Sequence, residues 1–182
     1  MLSTIVTFFA RFPASTAFAE MFSATSQIVP GHSELKAAMI AANQQLIPTI
    51  VKFIFSQSEE EIRQIVDKTD GYLMMVEYGP IRVSAPNQVN VRESGFGLSI
   101  IVAHHLHTRK YDAAAEALIM DQCLAYLKQI FNEMKRVDDD ENSCALTGWT
   151  RNQVDFAPIE PQALYQAIGW NLSITYSSNL FV

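Results

Sequence analysis

YDAAAEALIMDQCLAYLKQIFNEMKR, residues 111–136, has one reading, a long helix. Ala113, Ala117, Met120, Leu124, Leu127, Phe131 and Met134 recur at alternating three- and four-residue steps. That is the spacing of an apolar stripe on a helix. Asp112 and Glu116 stand near its start, Lys135 and Arg136 at its end, each where the helix dipole favours that charge. Small alanines in the first turns let another backbone lie close. From residue 70 onward the other segments read as strands, and strands need an apolar cover. This helix is predicted to supply it.

On the N-terminal side of the helix, Phe96, Leu98, Ile100, Val102 and His104 alternate with Gly97, Ser99, Ile101 and Ala103, the period of a strand. Tyr72–Tyr78 is rich in strand formers, Gly79-Pro80 interrupts it, and Ile81–Val83 resumes it. On the C-terminal side lie Trp149–Phe156, a turn region around Pro158 and Pro161, and Ala167–Ser177. In that last piece Ile168, Trp170, Leu172, Ile174 and Tyr176 alternate with Gly169, Asn171, Ser173, Thr175 and Ser177, the cleanest period-two pattern in the chain. One face is predicted to lie under a helix, the other to be wet or turned to a partner. Clustered strands with a helix between them, lacking regular βαβ alternation, predict an α+β fold with a mainly antiparallel sheet.

Residues 1–65 read as an N-terminal helical segment and 66–182 as the α+β domain. Phe8, Phe9, Phe12, Phe18 and Phe22 crowd the start, with Pro13 opening a second helical turn. They fit either core-packing helices or an exposed aromatic arm that packs on a neighbouring subunit. Trp149 and Trp170 join them as candidate interface residues. Ser33 with Glu34 predicts a capped helix whose apolar face carries Leu35, Met39, Ala42 and Leu46, broken near Pro48. Ile50–Phe55 can continue as helix or form a strand, and the helical reading is preferred. Ser58 and Glu61 form a capping box for a short helix through Ile62, Ile65 and Val66, and Asp70-Gly71 ends it.

The 182 residues are 49% hydrophobic and 18% charged, which places the chain among folded proteins. Net charge is −6 and the basic residues are scattered, which argues against sequence-specific nucleic-acid binding. Two cysteines, Cys123 and Cys144, make no disulfide framework, and Cys123 beside the stripe reads as a buried apolar residue. No apolar run reaches membrane-spanning length. The apolar start lacks a basic leader region and Arg11 interrupts it, so it reads as a retained segment.

Chemistry has one sharp candidate, His104-His105-Leu106-His107. His105 and His107 would share a strand face and could hold one metal, but no spaced third ligand accompanies them. Asp138–Glu141 reads as a solvated acidic run, without the spacing of a calcium loop. Gly95-x-Gly97 leads into a strand and lacks the lysine of a phosphate loop. No catalytic residue, metal site or cofactor is predicted. The alternative is an α+β ligand-binding or metal-dependent hydrolytic domain using His104–His107.

The order of elements resembles the tail terminator and tail completion proteins of long-tailed bacteriophages. The resemblance covers roughly residues 70–182: a strand and turn, GFGLSIIVAHH, a helix of about seven turns, and a closing strand Gly169-Trp170-Asn171-Leu172-Ser173-Ile174 preceded by FAPIEPQALYQAIGW. It implies a small α+β subunit without catalytic residues. Such a subunit acts as a virion component assembled in the host cytoplasm, forming a homo-oligomeric ring, commonly of six. The ring ends tail-tube polymerisation and contacts tail-tube and head-connector proteins. The helical segment 1–65 exceeds what the simplest members carry.

Overall fold

The computed structural model describes residues 2–18, 21–22, 29–55, 59–79, 82–84, 93–106, 111–139, 150–159 and 164–178. The elements run α1 (Leu2–Phe9), a 3₁₀ turn (Ser15–Phe18), α2 (His32–Ala42), β1 (Ile50–Ile54), α3 (Glu59–Lys68), β2 (Tyr72–Tyr78), β3 (Arg82–Ser84), β4 (Glu93–His105), α4 (Ala113–Asp139), β5 (Thr150–Ile159) and β6 (Ala167–Ser178). One sheet has the order β1-β2-β4-β6-β5, with β3 pairing the start of β4. The fold is α+β, and α4 covers one face of the sheet.

All pairs are antiparallel except β1 with β2. This corrects the helical reading of Ile50–Phe55. The preceding helix already ends at Ala42, well before Pro48, and a run of β-branched and aromatic residues then finds a parallel partner in β2 through the crossover helix α3. The sheet is therefore mixed. A five-residue apolar run does not itself distinguish strand from helix, and the partner that decided it lies beyond α3.

Helix α4 buries Ile119, Cys123, Leu127, Ile130, Met134 and Val137 against β4 and β6. The buried line is offset from the sequence stripe. Ala113 and Ala117 are exposed, and Met120, Leu124 and Phe131 flank the contact. A repeat of seven residues drifts around a real helix by about 20° per heptad, so a stripe read over three heptads loses its phase. Asp112 caps the helix, its carboxylate accepting from the Ala115 amide at 2.8 Å. Helix α2 is preceded by Gly31 in the left-handed region (φ 86°) with no side-chain cap, so Ser33 is not its N-cap. Ser58 lies outside the described residues.

The phenylalanine-rich start is interior. Phe8, Phe9, Phe12 and Phe18 are buried in the same core that holds the inner sheet face and α4. Phe8 meets Phe9 and Phe12 edge-on, and Phe18 meets Phe53 of β1. For these four the exposed-arm reading is corrected, because each buried phenylalanine removes a large apolar area from water within its own chain. Phe22 is half-buried between the His32 ring and the Lys36 ammonium. Polar bonds fix the segment as well. The Asn43 side-chain amide donates to the carbonyls of Ala10 and Pro13, the Ile47 amide donates to Phe12, and the Ala14 amide donates to Ile50 of β1. Arg11 pairs with Glu133 of α4, which Arg136 also holds at 2.8 Å. Arg136 first, with Arg11 adding its charge, keeps the Glu133 carboxyl below the usual carboxylate range.

Candidate functional site

Strand alternation and register together sort the sheet residues. On β4, Phe96, Leu98, Ile100 and Val102 face α4, and Ile101, Ala103 and His105 face the other way. Helix α3 covers part of that outer face. Ile62 and Val66 pack there on Ile54, Leu73, Met75, Ile101 and Ala103. A ten-residue helix is about 15 Å long, and its cover ends near the Met75–Ile101 pair.

Beyond that pair the outer face turns polar. Glu77 on β2 pairs with Ser99 on β4, Ser99 with Ser173 on β6, and Ser173 with Asp155 on β5. The four side chains form a straight row across four strands. Gly97, Thr175 and Gln153 make the next row. Ser99 Oγ donates to Asn171 Oδ1 at 2.8 Å, Asn171 Nδ2 donates to Ser173 Oγ at 3.1 Å, and Gln153 Nε2 donates to Asp155 Oδ2 at 2.6 Å. Partial burial pushes the Glu77 carboxyl up, and among the described residues no cation lies against it. The patch is rich in acceptors and poor in cations. Ser99 hands its hydrogen to an amide oxygen, which cannot act as a base, so this hydroxyl is not an activated nucleophile. The arrangement suits recognition by a donor-rich surface.

His104 and His105 lie on opposite faces of the sheet. His104 lies on the α4 side, edge-on to Tyr72 at 4.9 Å and to Tyr111 at 5.6 Å. Its Nδ1 is 3.0 Å from the His105 carbonyl, an oxygen that can only accept, so this nitrogen carries the proton. His105 is on the opposite face, 3.9 Å from Asp67 of α3. His107 lies outside the described residues. Among the described residues no group of three or more metal-binding side chains occurs. Tyr72 sits in the same inner cluster, and burial first, then neighbouring Cys123, Tyr126 and Tyr111, push its phenol up. Burial alone drives the Cys123 thiol up to about 12, the behaviour of a packing residue.

Of the interface candidates read from sequence, Trp170 is half-buried on the α4 side, opposite Val102 and Pro158. Trp149 lies outside the described residues. Glu77, Ser99, Ser173 and Asp155 were not singled out in the sequence. The polar half of the β4 and β6 alternations was visible, but only register aligns them with Glu77 and Asp155. A shallow apolar groove of about 910 Å³ also runs between α1 and α2, lined by Phe8, Val29, Leu35 and Ala38.

No family model, curated protein or solved structure matches this chain. No helix among the described residues is long and apolar enough to cross a membrane.

Proposed function

We propose that this chain is a structural subunit of a tailed-phage or prophage virion, assembling as a ring that terminates or completes the tail at the neck. The observation that carries the reading is the outer sheet face. Part of it is covered by α3, and the part carrying Glu77, Ser99, Ser173 and Asp155 has no covering helix among the described residues. A ring subunit needs two different surfaces that match each other, and a half-covered sheet supplies one of them. The element order from β2 to β6, closed by Gly169-Trp170-Asn171-Leu172-Ser173-Ile174, adds the resemblance to tail terminator and completion proteins. Assembly in the host cytoplasm and contacts with tail-tube and head-connector proteins belong to the same reading.

The test combines light scattering on a sizing column with negative-stain electron microscopy, with and without a tail-tube protein. Rings, or caps on tube ends, are the expected result. A strict monomer at high concentration that leaves tube length unchanged would sink the reading.

A further inference from the structure

The polar row on the outer face has a counterpart on the far side of the molecule. Helix α4 buries one line of side chains and exposes the opposite one, which includes Ala125, Lys128, Asn132 and Lys135. Asp121 stands at the start of this line, and from Ala125 to Lys135 its only charges are the two lysines, where the row carries two carboxylates. Among the other exposed cations of the described residues, Arg63 pairs with Asp67 and Arg136 with Glu133, and Lys68 lies on α3, on the row's own side of the sheet. Lys135 rests over the Phe131 ring at 4.6 Å, and Lys128 makes no ion pair among the described residues. The chain as a whole carries −6, so two copies repel except where a cationic patch meets an anionic one.

We infer that the row Glu77–Ser99–Ser173–Asp155 of one copy receives the outer face of α4 from the next copy, Lys128 and Lys135 answering the two carboxylates. This contact rests on the assembly reading above and names its partner surface. The dimensions agree. Glu77 and Asp155 stand three strand spacings apart, about 14 Å. Lys128 and Lys135 are two helical turns apart, about 10.5 Å along the axis, and flexible lysine stems span the difference. The serines between the carboxylates are small and leave room for the helix, with Ala125 and Asn132 on its contacting line. Partial burial already presses on the Glu77 carboxyl, and a neighbouring ammonium would relieve that. Because the two surfaces lie on opposite sides of one copy, the contact is head-to-tail. It closes into a ring or runs on as a filament.

Complementary charge reversal tests this in the full chain. Sizing with light scattering is run on the wild type, on E77K/D155K and on K128E/K135E, with circular dichroism as the check of folding. Each double variant is expected to fall from the assembled mass to the monomer mass. An equimolar mixture of the two is expected to regain the assembled mass, because every junction in the alternating assembly again joins opposite charges. If a reversal variant does not fold, E77Q/D155N and K128Q/K135Q replace the pair, and monomer mass from either is the expected result. Folded variants that keep the wild-type mass overturn the contact and leave the assembly reading standing. So does a mixture of reversal monomers that stays monomeric. A wild type that is monomeric at every concentration overturns both.

Discussion

The phenylalanine-rich start and the outer sheet face each differ from what their sequences advertise. Five phenylalanines within the first 22 residues look adhesive, yet four are buried in the chain's own core. The outer half-face looks like an ordinary wet side of strands, yet it aligns two carboxylates and two hydroxyls in one row. Apolar content measures what a segment can bury, and whether it buries that within its own chain is decided by the space other elements leave. Here β1 and α4 leave a space that the phenylalanines fill, while on β2 and β4 the apolar residues packed with α3 are Leu73, Met75, Ile101 and Ala103.

The comparison breaks most visibly at Phe12, which is fully buried. Phe12→Ala should cost about 3–5 kcal/mol of unfolding free energy, read by urea denaturation at low protein concentration. An inter-subunit arm would instead change particle mass and leave monomer stability alone.

Gly169→Ala strikes the seam beneath both regions. A Cβ there would collide with the Val102 carbonyl oxygen and lie 2.6 Å from the Ala103 Cα, both backbone atoms that cannot rotate aside. The cost should be about 1–3 kcal/mol, with loss of amide-exchange protection along β4 and β6. Protection unchanged from the wild type would refute the close approach.

Arg11→Met sharpens the N-terminal side. Removing one partner of a largely shielded charge pair should cost about 1.5 kcal/mol. Glu133 has its folded value lowered, so its stabilising contribution is present above the unfolded carboxylate range and is lost as pH falls through the folded value. The variant should therefore lose less stability than the wild type on acidification, as denaturation midpoints from neutral to acidic pH would record.

Glu77→Gln is the mildest change and has the opposite sign. The Glu77 value is raised on folding, so its contribution favours the fold below the unfolded carboxylate range and is lost as pH rises through the folded value. At neutral pH the variant should match or slightly exceed wild-type stability, within about 0.5 kcal/mol. A clear loss would mean that Glu77 has a folded-state partner within the chain.

The sequence was most legible where a pattern is long and local. The bounds of β2 follow from composition and the Gly79-Pro80 break, and the alternations of β4 and β6 and the existence of α4 from period. What depended on distant partners was not legible. Ile50–Phe55 needed β2 to make it a strand, the buried line of α4 needed the sheet to fix its phase, and the polar row needed the register of three strand pairs. For His104 and His105 local alternation was enough. Adjacent residues on a strand point to opposite faces, so His104 and His105 are divided by the sheet itself.

The central pairing of β4 with β6 has a consequence for synthesis. Ser94 meets Ser178 and His105 meets Ala167, with the whole of α4 between the two strands. Until residues 167–178 leave the ribosome, β4 has an unpaired edge with Phe96, Leu98, Ile100 and Val102 along one side. Pairings between such distant residues form slowly, whereas α4 can form from local contacts as soon as it emerges. The growing chain thus passes through a stage in which its longest strand waits for its neighbour. Slower elongation past Asp139, or a deletion within β6, should show up first as aggregation of the nascent product.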